Sequence, residues 1–206
     1  EFVSWDAASQ SVKARQQRVL GALVLEDKAL SSASTSASPD KITAVLAQAI
    51  AETGVQVLPW TDTLRQWQAR VQIMHRLAPA EWPDVSEEGL RARITEWAAP
   101  YLTGMSRFSH LDRFPLHNAL TGMLDWSSQQ ALDALLPVQL EVPTGSRISI
   151  DYTAEHGPVL AVKLQEMFGL LETPRLARGR VPLTIHLLSP AQRPVAVTQD
   201  LASFWK

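Results

Sequence analysis

The chain has 206 residues, with 19 Lys and Arg, 21 Asp and Glu, 46% hydrophobic residues and no Cys. This composition is typical of a folded globular protein, and the length allows one large domain or two small ones. The lack of Cys excludes disulfides, thiolate metal sites and cysteine catalysis, and it favours a reducing, cytoplasmic environment. No apolar run approaches the roughly 20 residues of a membrane span, so we expect no membrane partner. The chain begins without Met, and we expect it to be a piece of a longer protein.

The first part of the chain, residues 1–30, is predicted to be extended. Val3 and Trp5 begin one strand, and the apolar run 20–25 has the length of another, although a helix over 12–25 fits the same region. Residues 31–38 are Ser, Ala and Thr, which are too small and polar to form a core. We therefore predict a linker over 31–39.

Residues 40–137 carry the signals of an α-helical unit. Apolar side chains recur there at helical spacing in successive segments, and start or stop signals flank these segments. Examples are the Ser38-Pro39-Asp40 start, Pro115 at a first helical position and a capping box of Ser127 with Gln130. Five tryptophans of this region lie mostly on apolar stripes and are expected in the core or at helix junctions: Trp60, Trp67, Trp82, Trp97 and Trp126.

The apolar period changes from about 3.6 to 2 after residue 137, which predicts a small α+β domain over 138–206. Alternation at 138–142 and 148–152 predicts one hairpin, and alternation at 183–187 and 195–197 predicts another. Between them a helix is predicted to open at Gly157 and close at Gly169, with an apolar face made of Leu160, Leu164, Met167 and Phe168. A short helix over 201–205 follows. The expected order is ββαββα, with an antiparallel sheet covered on one face by helix.

Compact catalytic motifs are missing from the sequence. The nine glycines are dispersed, so no glycine-rich loop is available to cradle a phosphate. His110, Asp112 and His117 lie near each other, but Pro115 interrupts the segment and we assign no metal site. Ser149, Asp151 and His156 form a conceivable hydrolytic set, for which turn chemistry is the simpler explanation. We therefore assign no catalytic residue.

The basic residues near the C-terminal end form the best candidate site. The net charge of −2 gives no overall attraction for nucleic acid, yet residues 172–193 hold four arginines against one glutamate. Guanidinium groups pair with phosphates and stack on bases, so these arginines are candidates for nucleic-acid contact. The alternative interpretation is that they lie in a solvated loop without a binding role. The candidates for nucleic-acid contact are Arg147, Arg175, Arg178, Arg180, Arg193 and Trp205. Phe204 and Trp205 are also candidates for docking a protein partner.

Several strings of the chain carry a specific resemblance. The longest are Gly145-Ser146-Arg147-Ile148-Ser149-Ile150-Asp151-Tyr152, Leu164-Gln165-Glu166-Met167-Phe168-Gly169-Leu170 and Asp200-Leu201-Ala202-Ser203-Phe204-Trp205. Shorter ones lie at 172–175, 179–182, 187–190 and 193–195, and upstream at 20–23, 58–60 and 97–105. Through these residues the chain resembles the C-terminal region of bacterial HrpB-type ATP-dependent helicases.

The resemblance implies a parent RNA helicase of the DEAH family. Its two RecA-like domains would bind ATP and Mg²⁺, and winged-helix, helical and oligonucleotide-binding domains would follow. No position here matches the family's P-loop, its Asp-Glu-Ala-His-like box or its Arg-finger motif, so no catalytic or cofactor-binding residue is carried over. By the same resemblance, residues 1–30 are the tail of an oligonucleotide-binding fold, 40–137 a helical connector domain and 138–206 the C-terminal domain.

The expected function is therefore a non-catalytic C-terminal accessory piece of an ATP-dependent RNA helicase. It would brace the motor and extend the RNA path through the arginines. The expected partners are RNA and the remainder of the helicase chain. The alternative is a protein-interaction module that docks Phe204 and Trp205 on the helicase core or on another partner.

Overall fold

The computed structural model describes residues 2–20, 23–29 and 38–206, which pack into two compact units. Unit 1 takes its residues from 1–61 and 84–123, and unit 2 from 62–83 and 124–206. The helical region at 40–137 thus contributes to both units. The domain limits at residues 30, 39 and 137 stay a prediction, since the two units are defined by packing and not by independent folding. Most of the expected linker, residues 31–37, lies outside the described residues.

Unit 1 contains a three-stranded antiparallel sheet with the strand order β1-β2-β3. The strands are β1 (Phe2–Asp6), β2 (Ser11–Leu20) and β3 (Leu23–Ala29). The extended structure predicted for this region is confirmed for the described residues, and the alternative helix over 12–25 is wrong. The rings of Trp5 and Phe108 lie 4.6 Å apart and attach β1 to the helical part of the unit.

The helices follow the apolar stripes that the sequence predicts. They are α1 (Pro39–Thr53), α2 (Asp62–Leu77), α3 (Glu87–Ala92), α4 (Ile94–Trp97), α5 (Leu116–Thr121), α6 (Trp126–Leu135) and α7 (Leu201–Phe204). Among the described residues, no helix is long and apolar enough to cross a membrane.

The helix caps explain where two of these helices begin. Ser86 accepts a hydrogen bond from the Gly89 amide at 3.1 Å and starts α3. Helix α6 starts differently from the prediction, because the Asp125 carboxylate accepts from the Ser128 amide at 2.7 Å. The capping box predicted at Ser127 is therefore wrong, since Asp125 already fills the cap position directly before the first helical residue.

Unit 2 is built on a five-stranded sheet with the order β4-β5-β6-β7-β8. The strands are β4 (Gln139–Glu141), β5 (Arg147–Asp151), β6 (Val159–Lys163), β7 (Thr184–Leu188) and β8 (Pro194–Thr198). Neighbouring strands are antiparallel except β6 and β7, which are parallel. The α+β class and both predicted hairpins are confirmed.

The helix predicted between the two hairpins is wrong, and with it the order ββαββα. Leu160 and Val162 are buried and alternate with exposed Ala161, which is the side-chain period of a strand, and a 3-10 helix over Leu164–Met167 follows β6. Phe168, predicted on the buried face, is exposed. Parallel strands need a long crossover connection, and residues 164–183 supply it between the end of β6 and the start of β7.

Arg70 fixes helix α2 to the end of α6. The whole residue is only 4% exposed. Its Nε donates to the Leu136 carbonyl at 2.6 Å, and its Nη2 donates to Asp133 Oδ1 at 2.6 Å. The guanidinium also lies 6.0 Å from the centre of the Tyr152 ring. These contacts satisfy the charge of a buried arginine and close the last turn of α6.

Gln66, one turn before Arg70 on α2, fixes the end of β5. Its Oε1 accepts from the Tyr152 amide at 2.7 Å, and its Nε2 donates to Asp151 Oδ1 at 2.7 Å. The Tyr152 hydroxyl donates to the Pro137 carbonyl at 2.6 Å, and burial raises the pKa of Tyr152, so the phenol stays protonated as the donor. We call Gln66, Arg70 and Tyr152 the polar clamp of unit 2.

The polar clamp predicts the effect of removing its charged member. We expect Arg70→Met to lower the free energy of unfolding by about 2 kcal/mol, because the buried Leu136 carbonyl loses its donor. Chemical denaturation followed by circular dichroism measures this change.

Asp133→Asn is the matched control for the other partner of Arg70. Asp133 is 68% exposed on its side chain, so we expect this substitution to change the free energy of unfolding by no more than about 0.5 kcal/mol. Equal losses for the two variants would show that the ion pair, and not the bond to Leu136, carries the effect.

Candidate functional site

Three of the predicted arginines share one anchored loop, residues 175–181, which we call the arginine loop. Its two arms meet where the Val181 amide donates to the Leu176 carbonyl at 3.2 Å, and these residues form an antiparallel bridge. Leu176, Ala177 and Val181 are buried. The arginine loop is therefore held in the core of unit 2 by apolar side chains, while its arginines point outward.

The backbone of the arginine loop is strained at its tip. Ala177 has a φ of 48°, Arg178 of 57° and Gly179 of 85°, so three successive residues lie in the left-handed region. Glycine adopts this conformation freely, but a residue with a Cβ pays about 1–2 kcal/mol for it. The contacts of Leu176 and Val181 hold the tip in this conformation, which is a typical arrangement at binding sites.

The side chains of the arginine loop are exposed at Arg175, Arg178 and Arg180. Arg180 Nε donates to the Ala177 carbonyl at 3.3 Å, which keeps this guanidinium close to the tip. Arg175 passes over Gly179, with its Cδ 3.5 Å from the position that a Cβ on residue 179 would occupy. The local fold therefore brings together three of the five arginines that the sequence singled out.

A cleft of about 290 Å³ lies beside the arginine loop, and we call it the arginine cleft. Two arginines, Arg175 and Arg178, form part of its wall. The remaining lining residues are apolar and come from α6, from the residues between α6 and β4, from β4 and from the arginine loop itself: Ala131, Ala134, Leu135, Pro137, Leu140, Leu176 and Ala177.

The other two candidate arginines do not join this group. Arg147 begins β5 directly opposite Glu141 of β4, so its cross-strand neighbour is acidic. Its neighbour Ile148 shares a sheet face with Leu140 of the arginine cleft, and the alternation of side chains places Arg147 on the opposite face. Arg193 lies in the turn before β8, at the far edge of the sheet from β4.

The predicted aromatic residues form a cluster of their own. The Trp205 ring lies 5.1 Å from Phe204 and 5.9 Å from Phe168. Its Nε1 donates to the Leu170 carbonyl at 2.9 Å, which fixes the indole on the turn after the 3-10 helix. Phe168 and Phe204 are exposed. We call Phe168, Phe204 and Trp205 the aromatic cluster.

Besides Phe168, a second aromatic residue is exposed against the prediction. Trp126, expected in the core, is 75% exposed at the start of α6, whereas Trp82 and Trp97 are buried as expected. The spacing along α6 predicts this exposure, because Trp126 lies about 120° around the helix axis from the buried Leu132. Its position on the polar face could have been found from that spacing.

Ser149 and Asp151, two of the three residues considered for hydrolysis, make structural hydrogen bonds. Burial raises the pKa of Asp151, but hydrogen bonds from Gln66 and Thr153 outweigh it and leave the pKa below its ordinary value. The Ser149 hydroxyl accepts from Gln139 at 3.4 Å across the β4–β5 pair. Asp151 thus stabilises the turn that follows β5.

The histidines considered for metal binding are likewise part of the local structure. His110 Nδ1 accepts from the Ser106 amide at 3.3 Å, and burial, with help from Arg107 and Arg113, lowers its pKa. Within the part of the chain that the structure describes, no group of three acidic, His or Cys side chains is placed to hold a metal ion.

Comparison with known proteins connects this fold to one group. Residues 97–206 match the HrpB family described as ATP-dependent helicase C-terminal, and residues 1–30 match the connector region of the ATP-dependent RNA helicase HrpB. The chain is 40% identical over 207 residues to the ATP-dependent RNA helicase HrpB of Escherichia coli (strain K12), which covers 100% of this chain and 25% of that protein.

Two solved structures have the same fold. The E. coli DExH-box NTPase HrpB superimposes with a TM-score of 0.80 at 40% identity, and the Escherichia coli DEAH/RHA helicase HrpB with a TM-score of 0.76 at 38% identity. Each match covers 98% of this chain and 25% of the other. The chain thus spans about a quarter of the length of the relatives that it matches.

The α+β fold and the matched residues define the class as a helicase C-terminal region. The chain belongs to the HrpB ATP-dependent helicase C-terminal family, whose match covers more than half of its residues. The connector match lies on residues 1–30, where the resemblance implied the tail of an oligonucleotide-binding fold. The assignment of 40–137 as a helical connector domain stays a prediction.

The strain at Arg178 predicts an unusual preference between two substitutions. We expect Arg178→Gly to be more stable than Arg178→Ala by about 1 kcal/mol, because both variants lose the guanidinium and only glycine adopts the φ of 57° without strain. Thermal and chemical unfolding of the two variants, compared side by side, measure the difference.

Arg193 provides the control for this preference. It is exposed and does not have the positive φ of Arg178, so we expect Arg193→Gly to be less stable than Arg193→Ala by about 0.5 kcal/mol. The same order of stability at both positions would contradict the assignment of strain to the tip of the arginine loop.

Proposed function

We propose that the chain is a non-catalytic accessory region of an ATP-dependent RNA helicase, which contacts single-stranded RNA through the arginine loop and braces the motor domains. The grouping of Arg175, Arg178 and Arg180 on one anchored loop carries this proposal. The family supports it, because the E. coli relative that is 40% identical to the chain is described as an ATP-dependent RNA helicase.

The arginine loop suits a phosphate backbone for two physical reasons. Guanidinium groups form paired, charge-assisted hydrogen bonds with phosphate oxygens. The buried Leu176 and Val181 already hold the loop in place, so less backbone entropy is lost when RNA binds. Arg147 and Arg193 would contribute to a longer RNA path as separate contacts.

In this proposal, ATP hydrolysis takes place in the ATPase domains of the helicase and not in this region. ATP and Mg²⁺ bind the ATPase domains that the family resemblance implies, and the remainder of the helicase chain is then the first partner of this region. The cytoplasmic location expected from the lack of Cys fits a protein that acts on RNA.

Reversing the charge of the arginine loop tests the RNA contact. We expect the combined Arg175→Glu, Arg178→Glu and Arg180→Glu variant of the purified chain to bind single-stranded RNA at least about tenfold more weakly at low salt. The slope of log K against log salt should become shallower by about 2, since three phosphate contacts are lost. Fluorescence anisotropy with a labelled oligonucleotide measures both quantities.

A variant with the same change of net charge separates a local contact from general attraction. Lys41→Glu, Arg76→Glu and Arg113→Glu combine three exposed basic residues outside the arginine loop, and we expect the salt slope to stay close to that of the unchanged chain. The proposal fails if the unchanged chain binds no RNA at low salt, or if both variants lose the same affinity.

Docking on a protein is the second candidate function, and the aromatic cluster favours it. Phe168 and Phe204 expose apolar rings beside the fixed Trp205, and exposed aromatic groups of this kind are enriched at protein interfaces. The occupant in this proposal is the remainder of the helicase chain, and the contact would brace the motor.

Truncation of the aromatic cluster tests docking separately from RNA binding. We expect Phe168→Ala with Phe204→Ala to weaken binding to the helicase core supplied as a separate chain by about tenfold, with RNA affinity unchanged. Val195→Ala with Val197→Ala, two exposed apolar residues of β8, is the matched control. Equal affinity of both double variants for the helicase core would contradict a role of the aromatic cluster in docking.

A further inference from the structure

The arginine cleft combines an apolar floor with a positively charged wall. Small or flat side chains from α6 and the residues after it, including Ala131, Ala134 and Pro137, leave a space of about 290 Å³. This volume lies just below the roughly 300–1,000 Å³ found for small-molecule sites. The arginine cleft therefore has room for one compact group and is too small for a folded partner segment.

The charges around the arginine cleft select the chemistry of its occupant. Arg175 and Arg178 line it, and among the described residues that line it none is acidic. The occupant must therefore bring negative charge to the wall and an apolar surface to the floor. A nucleotide has both parts, because its base is planar and its phosphates are anionic, and arginine pairs with phosphates and stacks on bases.

The strain of the arginine loop is concentrated at the same place. Ala177 and Arg178, which carry the positive φ values of 48° and 57°, both line the arginine cleft. The bridge between Leu176 and Val181 maintains this conformation in the core. A strained backbone that presents a guanidinium to a cleft is an independent indication that the position serves a ligand.

We propose that the arginine cleft holds one unstacked base of a single-stranded RNA, with the neighbouring phosphates paired to Arg175 and Arg178. This inference rests on the proposed RNA contact and adds a specific site for a base. In a duplex the bases are stacked and paired, so the site selects single strands. An acidic peptide would satisfy the arginines, but its carboxylate side chains would not cover the apolar floor.

The base, and not only the phosphates, is then expected to contribute to affinity. The purified chain should bind a labelled RNA decamer at least about fivefold more tightly than an abasic decamer with the same number of phosphates. Ala134→Leu places a larger side chain at an exposed helical position in the arginine cleft. This variant should bind both decamers with the affinity that the unchanged chain has for the abasic one.

Gln130→Leu is the matched control, since it adds a leucine at an exposed position of the same helix outside the arginine cleft. It should keep the preference for the base-containing decamer. Circular dichroism of both leucine variants confirms that they are folded. Equal binding of the two decamers by the unchanged chain, or a preference that survives Ala134→Leu, overturns the inference.

Two competitors distinguish the RNA strand from other sources of the same chemistry. Uridine monophosphate should displace the decamer only at concentrations at least about a hundredfold higher, because it lacks the contacts of a strand with the rest of the arginine loop. Displacement at equal concentration would show a site for free nucleotides. An octaglutamate peptide that binds as tightly as RNA and loses affinity in Ala134→Leu would show a peptide site, and either result overturns the inference.

The outcomes also separate this inference from the proposed function. If charge reversal of the arginine loop weakens RNA binding but the abasic decamer binds as well as RNA, the phosphate contact stands and the base site is overturned. If neither charge reversal nor removal of the bases changes affinity, both proposals fail.

Discussion

The structure of unit 2 depends on two side chains of α2 that form hydrogen bonds with backbone groups at the end of α6 and after β5. Arg70 supplies the donor for the Leu136 carbonyl at the end of α6, where no further helical amide is available, and Gln66 pairs with the backbone after β5. The hydroxyl of Tyr152 completes the polar clamp at Pro137. Because the chain passes directly from this point into β4, the clamp determines where the floor of the arginine cleft lies.

The arginine loop is the opposite wall of that cleft, and it is positioned by buried apolar side chains together with the backbone bridge between Leu176 and Val181. Leu176 and Val181 pair with each other and are buried, while the tip between them has the conformation that L-residues avoid. The unfavourable backbone persists because the apolar contacts on both sides of it are lost together when the tip relaxes. A floor held by the hydrogen bonds of the polar clamp thus faces a wall held by apolar contacts and one backbone bridge.

Local sequence patterns predicted the helices and hairpins of the fold better than they predicted which strands pair and which distant side chains meet. The helical stripes of α1 and α2 and both hairpins are correct, since their periods depend only on neighbouring residues. The strand β6 was predicted as a helix, because the apolar residues at 160, 164, 167 and 168 also fit helical spacing. Its pairing with β5 and β7 shows that it is a strand. The buried role of Arg70 rests on residues more than sixty positions away, which no local pattern contains. The sequence predicted the arginines as a set, but their division into a loop group and two separate residues follows from sheet topology.

That division determines how the arginines would act on a nucleic acid. Arg193 lies across the sheet from β4, about 19 Å away at four strand spacings, and the Debye length at physiological ionic strength is about 8 Å. The field of Arg193 is therefore largely screened at β4, the strand that lines the arginine cleft through Leu140, and Arg147 lies on the other face of the sheet, opposite Glu141. In the proposed RNA complex, the main contact then comes from the three arginines of one short loop, next to the apolar floor, and Arg147 and Arg193 add separate contacts. In a chain with a net charge of −2, a site of this kind depends on close contact and shape, and long-range attraction has little part in it.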